Sequence, residues 1–103
     1  MDSYARQRER MVGRQVEGRG VHDPRVLDAM REVPREQFVD EHMREFAYED
    51  SPLPIEAGQT ISQPFIVGLM VEAAALGPGD RVLEIGAGSG YAAAVMSRIA
   101  REV

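Results

Sequence analysis

The sequence predicts an α/β fold in which helices come first and one parallel-sheet strand comes late. Three observations support this prediction. Apolar residues recur at helical spacing in most of the chain before residue 75, an apolar run occupies residues 81–85, and glycines stand at positions 86, 88 and 90 directly after that run. A further helical pattern begins at Tyr91. A strand, a tight glycine turn and a helix in this order are typical of the ligand-binding edge of an open parallel sheet.

Two helices and a shorter helical stretch are predicted in the N-terminal region. The first spans residues 3–18, and its thin apolar stripe within a polar majority indicates a surface element. The second begins at Asp23, which can cap it, and at Pro24, which suits the first helical position, and it ends at Pro34. The shorter stretch covers residues 38–46. The apolar stripe of the first helix consists of Met11, Val12 and Val16, and the face of the second consists of Val26, Leu27, Met30 and Val33.

The middle of the chain changes character before the glycine turn. Residues 53–63 mix proline, glycine, threonine, serine and glutamine with isolated apolar residues, which predicts an ordered loop with a short strand. Ser62 is placed to cap the helix that follows from Pro64. After a turn at residues 77–80, residues 81–85 are predicted to form a buried strand, followed by a helix over residues 91–100 and a second parallel strand beginning at Val103. The predicted apolar face of the helix from Pro64 consists of Phe65, Ile66, Leu69, Met70 and Ala73.

Composition excludes several classes of protein. The chain has 103 residues, enough for one small domain with a single core, and it has no Cys, which excludes disulfides, thiolate nucleophiles and thiolate metal sites. We predict no metal site. A formal net charge of −5 argues against general binding to nucleic acid, and no apolar run approaches the length of a membrane span. Because the N-terminus also lacks the features of a signal peptide, we expect a cytoplasmic protein.

The glycine loop is the most informative motif. Glycine adopts left-handed backbone angles and lets a ligand approach main-chain N–H groups, so the loop predicts a bay for a small ligand. A dinucleotide fingerprint would need its third glycine at position 91, which is Tyr. The observed spacing, with Glu84 two residues before the first glycine, resembles the cofactor loop of S-adenosylmethionine-dependent methyltransferases. That resemblance implies a Rossmann-like fold, S-adenosylmethionine as the cofactor, and Glu84 as a residue that holds its methionine moiety. The other residues expected to line the cofactor are Gly86, Gly88, Ser89 and Gly90.

Longer segments carry a more specific resemblance. They are Val-Pro-Arg-Glu-Gln-Phe-Val at 33–39, Leu-Pro-Ile at 53–55, Gly-Gln-Thr-Ile-Ser-Gln-Pro at 58–64, and the glycine-loop segment at 82–91. In this order they resemble the protein-L-isoaspartate O-methyltransferase family. The resemblance implies that the chain is the N-terminal portion of a single methyltransferase domain. Its parts are then a helical region at 1–52, a substrate loop at 53–64, and a helix with the first strand-loop-helix unit at 65–103.

The resemblance also implies a reaction. The family transfers a methyl group from S-adenosylmethionine to the carboxylate of L-isoaspartyl or D-aspartyl residues in damaged proteins, which starts their repair. Carried over by motif, Ser62 is the active-site serine and Thr60 its neighbour, both near the substrate carboxylate. A carboxylate with a pKa of about 4 is already ionised at neutral pH, so it needs orientation and no general base.

Three alternatives remain open at this point. A related enzyme of the same fold could methylate modified peptides or small acids, the chain could be a non-catalytic fragment, and a nicotinamide-dependent oxidoreductase is disfavoured by Tyr91. Cofactor domains of this kind carry a ribose-binding acid about twenty positions past the glycine loop, which places it just beyond Val103. We therefore expect the 103 residues alone to bind S-adenosylmethionine weakly or not at all and to be inactive. Unpaired strand edges also predict partial unfolding or association with another copy.

Overall fold

The N-terminal helix changes its geometry along its length. In the computed structural model, which describes residues 2–103 with the exception of the side chain at residue 57, helix α1 spans Tyr4–Arg10. Ser3 caps it by accepting a hydrogen bond from the amide of Arg6 at 3.2 Å. The chain continues as a π-helix over Met11–Val16 and a 3₁₀ turn over Glu17–Arg19. The prediction of helical structure over residues 3–18 is confirmed.

Helix α2 spans Pro24–Glu32, as the sequence predicts. Asp23 caps it, because its carboxylate accepts a hydrogen bond from the amide of Arg25 at 2.9 Å. A second carboxylate, that of Glu72, accepts hydrogen bonds from the backbone amides of His22 at 2.7 Å and Asp23 at 2.8 Å. The N–H groups of Asp23 and His22 lower the pKa of the Glu72 carboxyl. The carboxylates of Asp23 and Glu72 therefore both fix the start of α2. Its buried residues are Val26, Leu27, Ala29 and Met30.

Two 3₁₀ turns replace the single short helix predicted for residues 38–46. They span Arg35–Phe38 and Glu41–Phe46. Val39 between them is extended, with φ −119° and ψ 159°, so the helical path is broken there. The chain reaches the following loop without a regular α-helix.

A small antiparallel hairpin forms the predicted ordered loop. Strand β1 is Leu53–Pro54 and strand β2 is Thr60–Ile61, with Leu53 opposite Ile61. A 3₁₀ turn over Glu56–Gly58 joins them. The prediction of an ordered loop with a short strand is confirmed.

Helix α3 spans Pro64–Ala73. The prediction that Ser62 caps this helix is wrong. Because Pro64 occupies the first helical position, the N-cap is Gln63, and Ser62 lies one residue outside the helix. The Gln63 side chain does not bond to the helix either, since it donates to Asp50 Oδ1 at 2.6 Å.

Gly68 lets α3 pack closely against the π-helix and α2. A Cβ at this position would lie 2.6 Å from Val16 Cγ1 and 3.3 Å from Met30 Sδ. Met11 and Val12 are buried with Val16, and each of the three is at most 1% exposed. The prediction that the first helix is a surface element is therefore wrong for its second half, which contributes to the core.

The buried face of α3 also differs from the predicted one. Ile66, Leu69 and Met70 are 37%, 43% and 66% exposed, and Val67 and Val71 are buried in their place. Since α3 is apolar on nearly every side, its hydrophobic pattern does not select a face. The close approach of Val16 and Met30 to Gly68 determines which face of α3 is buried.

Residues 81–85 do not form the predicted buried strand. Arg81 makes one parallel bridge with Glu102, where the amide of Val82 donates to the Glu102 carbonyl at 2.8 Å. Beyond that bridge, Leu83 and Ile85 are 87% and 90% exposed. Within residues 2–103 no further strand flanks this segment. A parallel strand is stable only between covered neighbours, which explains the difference.

Helix α4 spans Tyr91–Ser97 and connects the two partners of that parallel bridge. Two parallel segments joined through a helix have the order of a strand-helix-strand unit, but within residues 2–103 they pair only through this isolated bridge, so the predicted second strand is not formed there. The helix itself is shorter than the predicted 91–100. No helix in the described part of the chain is both long and apolar enough to cross a membrane.

Candidate functional site

Two predicted motifs meet at one small cavity. Its volume is about 110 Å³, and it lies between the end of β2, the glycine loop and the start of α4. Every predicted site residue except Gly90 lines this cavity. Those that line it are Thr60, Ser62, Glu84, Gly86, Gly88 and Ser89. Residues 60–62 and the glycine loop, which are separate in sequence, therefore line the same cavity.

Left-handed backbone angles shape the glycine loop. Gly86, Gly88 and Gly90 have φ values of 77°, 57° and 83°, which residues with a Cβ adopt only under strain. A Cβ at position 88 would lie 3.9 Å from the carbonyl oxygen of Thr60, so the loop passes close to β2. Gly90 lies at the N-cap of α4 and does not line the cavity.

Glu84 brings an unpaired acid to this cavity. Its side chain is half-buried, and its Oε1 is buried with no hydrogen-bond partner in the part of the chain that the structure describes. A buried carboxylate oxygen without a donor costs free energy, and a ligand that supplies an N–H donor or a positive charge recovers that cost. Glu84 Oε1 is thus an acceptor beside the glycine loop that no donor of residues 2–103 satisfies.

The hydroxyl groups of Thr60 and Ser62 are available to a ligand. Both residues are exposed at the cavity, and neither hydroxyl forms a hydrogen bond within residues 2–103. The Ser62 backbone is nevertheless held in place, because its carbonyl oxygen accepts a hydrogen bond from Arg35 Nη2 at 2.9 Å. A fixed backbone that presents a free hydroxyl suits recognition of an anionic group.

Sequence reasoning missed Arg35. Its side chain is fully buried, its Nε donates to the carbonyl of Ala47 at 2.6 Å, and its guanidinium carbon lies 4.9 Å from the ring centroid of Tyr91. Burial lowers the pKa of Arg35 and raises the pKa of Tyr91. The Tyr91 ring also contacts the Phe38 ring edge-on, with 5.7 Å between the ring centroids. An arginine after a proline carries no mark of burial in the sequence, so only the structure reveals it.

A second cavity adjoins the first. Its volume is about 490 Å³, within the range of small-molecule sites, and it lies between α3 and residues 82–86. Ser62, Glu84 and Gly86 line both cavities. The remaining walls are mostly apolar and include Ile66, Met70, Val82, Leu83, Ile85 and Met96. Leu83 and Ile85 are exposed because no strand covers them within residues 2–103, so part of this apolar wall is uncovered strand surface.

Residues 2–103 contain no group of three His, Asp or Glu side chains placed to hold a metal ion. The polar groups at the site are hydroxyls, one carboxylate and backbone amides. Such a set orients and stabilises ligands through hydrogen bonds and charge.

Comparison with known proteins decides the family. The family model for protein-L-isoaspartate (D-aspartate) O-methyltransferase matches residues 6–103, nearly the whole chain. The chain belongs to this family. It is 67% identical over 101 residues to protein-L-isoaspartate O-methyltransferase 1 of Rhodopseudomonas palustris (strain HaA2), covering 98% of this chain and 41% of that relative. It is 59% identical over 102 residues to protein-L-isoaspartate O-methyltransferase of Synechococcus sp. (strain JA-2-3B'a(2-13)), covering 99% of this chain and 42% of that relative.

Solved structures of the isoaspartate methyltransferase family share the fold. One protein-L-isoaspartate O-methyltransferase matches with a TM-score of 0.78 and 40% identity, covering 89% of this chain and 30% of its own. A Plasmodium falciparum protein described as a putative member of the family, solved in complex with S-adenosyl-L-homocysteine, matches with a TM-score of 0.72 and 29% identity, covering 94% and 42%. The predicted fold class is confirmed. The chain spans about two fifths of the length of the curated isoaspartate methyltransferases it matches.

Proposed function

We propose that this chain supplies the substrate loop and the glycine loop of an enzyme that methylates the carboxylate of L-isoaspartyl or D-aspartyl residues in damaged proteins, with S-adenosylmethionine as methyl donor. One observation carries the proposal. Hydroxyls from the substrate loop and an unpaired carboxylate beside the glycine loop line the same cavity. Membership of the family supports the reaction type.

The residues at the glycine loop fit the methionine end of S-adenosylmethionine. Its ammonium group is a donor and a cation, which matches the buried, unpartnered Oε1 of Glu84. Gly86 and Gly88 leave room for the ligand against the backbone, since neither carries a Cβ and both have left-handed φ. When bound, S-adenosylmethionine supplies an electrophilic methyl group on a sulfonium. The Plasmodium falciparum relative, which was solved in complex with S-adenosyl-L-homocysteine, supports this choice of cofactor.

Thr60 and Ser62 fit the substrate carboxylate. Their hydroxyls are exposed at the cavity and are not engaged within residues 2–103, so they can donate to one carboxylate oxygen and leave the other free to attack the methyl carbon. That oxygen forms the new O–C bond, the bond from the methyl carbon to sulfur breaks, and its electron pair stays on sulfur. The products are a methyl ester and S-adenosylhomocysteine. No proton is transferred, so the lack of a general base at the site is consistent with the reaction.

Methyl transfer to paired peptides tests the proposal. The complete gene product is incubated with labelled S-adenosylmethionine and a peptide that contains isoaspartate, in parallel with the same peptide containing normal aspartate. We expect labelling of the isoaspartyl peptide only. Ser62→Ala should lower kcat/KM by about 10- to 100-fold, the range for a lost substrate-positioning hydrogen bond. Equal labelling of both peptides would reject the proposed substrate.

Ser97→Ala is the matched control for that variant. Ser97 is exposed and bonds only the carbonyl of Ala94 at 2.6 Å, away from both cavities. It should leave methyl transfer unchanged. A similar loss of activity in both serine variants would show that Ser62 does not have the proposed role.

The cytoplasmic location expected from the sequence stays a prediction.

A further inference from the structure

Arg35 carries a buried charge that no carboxylate offsets. Arginine is almost never fully buried without a partner, and its guanidinium stays protonated at neutral pH. None of the ion pairs described within residues 2–103 includes Arg35. The neighbouring carboxylate of Glu36 is already engaged by Tyr48 and by Arg8, at 3.2 Å from Arg8 Nη2. The position therefore keeps a charged residue for a reason other than simple stability.

The contacts of Arg35 point to that reason. Its Nη2 donates to the carbonyl of Ser62 in the substrate loop, and its guanidinium carbon lies over the ring of Tyr91, the first residue after the glycine loop. Its Nε is fixed by the carbonyl of Ala47. A planar guanidinium can hold two carbonyls in its plane and a ring on its face at the same time. One side chain thus joins the two loops that line the site cavity.

We propose that Arg35 is a positioning residue that holds the Ser62 loop and the glycine loop in their mutual geometry. The inference rests on the proposed function, because that function assigns Ser62 to the substrate carboxylate and the glycine loop to the methyl donor. Displacement transfer is sensitive to alignment, and a misplacement of about 1 Å costs about 100-fold in rate. A residue that joins the two loops therefore acts on kcat without touching either ligand.

The neighbouring groups support a positioning role. Tyr91 is 1% exposed, so the guanidinium carbon of Arg35, 4.9 Å from the Tyr91 ring centroid, makes this contact inside the folded chain. Through Nε, Nη2 and the guanidinium carbon, Arg35 contacts three separate segments of the chain, at Ala47, Ser62 and Tyr91.

Hydrogen-deuterium exchange on the complete gene product tests the coupling directly. Arg35→Met removes the charge and both donors at similar length. We expect exchange to accelerate by about fivefold or more, as for a loss of roughly 1 kcal/mol in local opening, in peptides that contain Ser62 and Tyr91 but not in α1. Val33→Ala, a buried change two residues away, controls for loss of stability. Unchanged exchange at both loops, or the same pattern in Val33→Ala, would overturn the inference.

Kinetics provide the second readout. Arg35→Met should lower kcat on the isoaspartyl peptide by about 10- to 100-fold. The KM for the peptide and the KM for S-adenosylmethionine should each change by less than about threefold. Arg35→Lys, which keeps the charge but lacks the planar fork that reaches two carbonyls, should recover part of kcat, and Val33→Ala should keep kcat within about twofold. A loss confined to KM, or equal losses in Arg35→Met and Val33→Ala, would count against positioning.

The two readouts keep the proposals separable. If the unmodified protein transfers no methyl group, the proposed function fails, and the exchange experiment alone decides whether Arg35 joins the two loops. If methyl transfer is observed and exchange at the loops is unaffected in Arg35→Met, the inference fails while the proposed function stands. If Arg35→Met does not fold, Arg35→Lys carries the exchange test, because it lacks the planar fork that reaches two carbonyls.

Discussion

Replacing Glu84 by glutamine should weaken cofactor binding without weakening the fold. Oε1 of Glu84 is buried and unpartnered within residues 2–103, so the carboxylate is costly before a ligand arrives. Gln keeps the size of the side chain and removes the charge. A hydrogen bond to a charged group contributes about 1.5–3 kcal/mol, which corresponds to a rise of about 10- to 150-fold in the Kd for S-adenosylmethionine.

Isothermal titration calorimetry and thermal unfolding measure the two effects on the same protein. We expect Glu84→Gln in the complete gene product to raise the Kd in that range while Tm stays equal or increases. Glu41→Gln is the matched control, since Glu41 is exposed and lies in a 3₁₀ turn outside both cavities. An unchanged Kd in Glu84→Gln, or a fall in Tm together with the rise in Kd, would refute the reasoning.

Three further outcomes are expected. Gly68→Ala places a methyl group 2.6 Å from Val16 Cγ1 and should lower the free energy of unfolding by about 1–3 kcal/mol, which is measured as a lower Tm. Gly13→Ala is the control and should leave Tm unchanged, because a Cβ at Gly13 has no neighbouring atom within 4 Å. The N–H donors that lower the folded-state pKa of Glu72 stabilise the protein above its unfolded pKa of about 4.5, so the Tm advantage over Glu72→Gln should disappear as pH falls below that value; a constant gap would contradict this. The 103-residue chain alone should show no micromolar binding of S-adenosylmethionine by calorimetry, because residues 82–86 are largely uncovered.

Much of the helical framework was predictable because its signals are local. Asp23 and Pro24 mark the start of α2, and the glycines at 86, 88 and 90 adopt the left-handed angles that their spacing predicts. Caps and turns depend on a few neighbouring residues, so the sequence carries them directly. The motifs of the candidate site are local in the same sense, because each lies within a few consecutive residues.

The errors have a common physical origin in long-range contact. The buried face of α3 was predicted wrongly because a helix that is apolar on most sides has no preferred face until a neighbour packs against Gly68. The strand at 81–85 was predicted as buried because its residues are apolar, yet Leu83 and Ile85 are exposed where no neighbouring strand covers them within residues 2–103. Burial depends on what lies alongside, which a local pattern does not contain.

By itself, the sequence determined the family and nominated the chemical groups of the candidate site, because glycine spacing and the Thr60–Ser62 motif are properties of short segments. The tertiary structure alone decided how those groups meet. It placed Ser62 and the glycine loop on one cavity, left Glu84 Oε1 without a partner among the described residues, and buried Arg35 between the two loops. A contact between residues far apart in the chain arises from packing, and packing is decided only when the whole chain has folded.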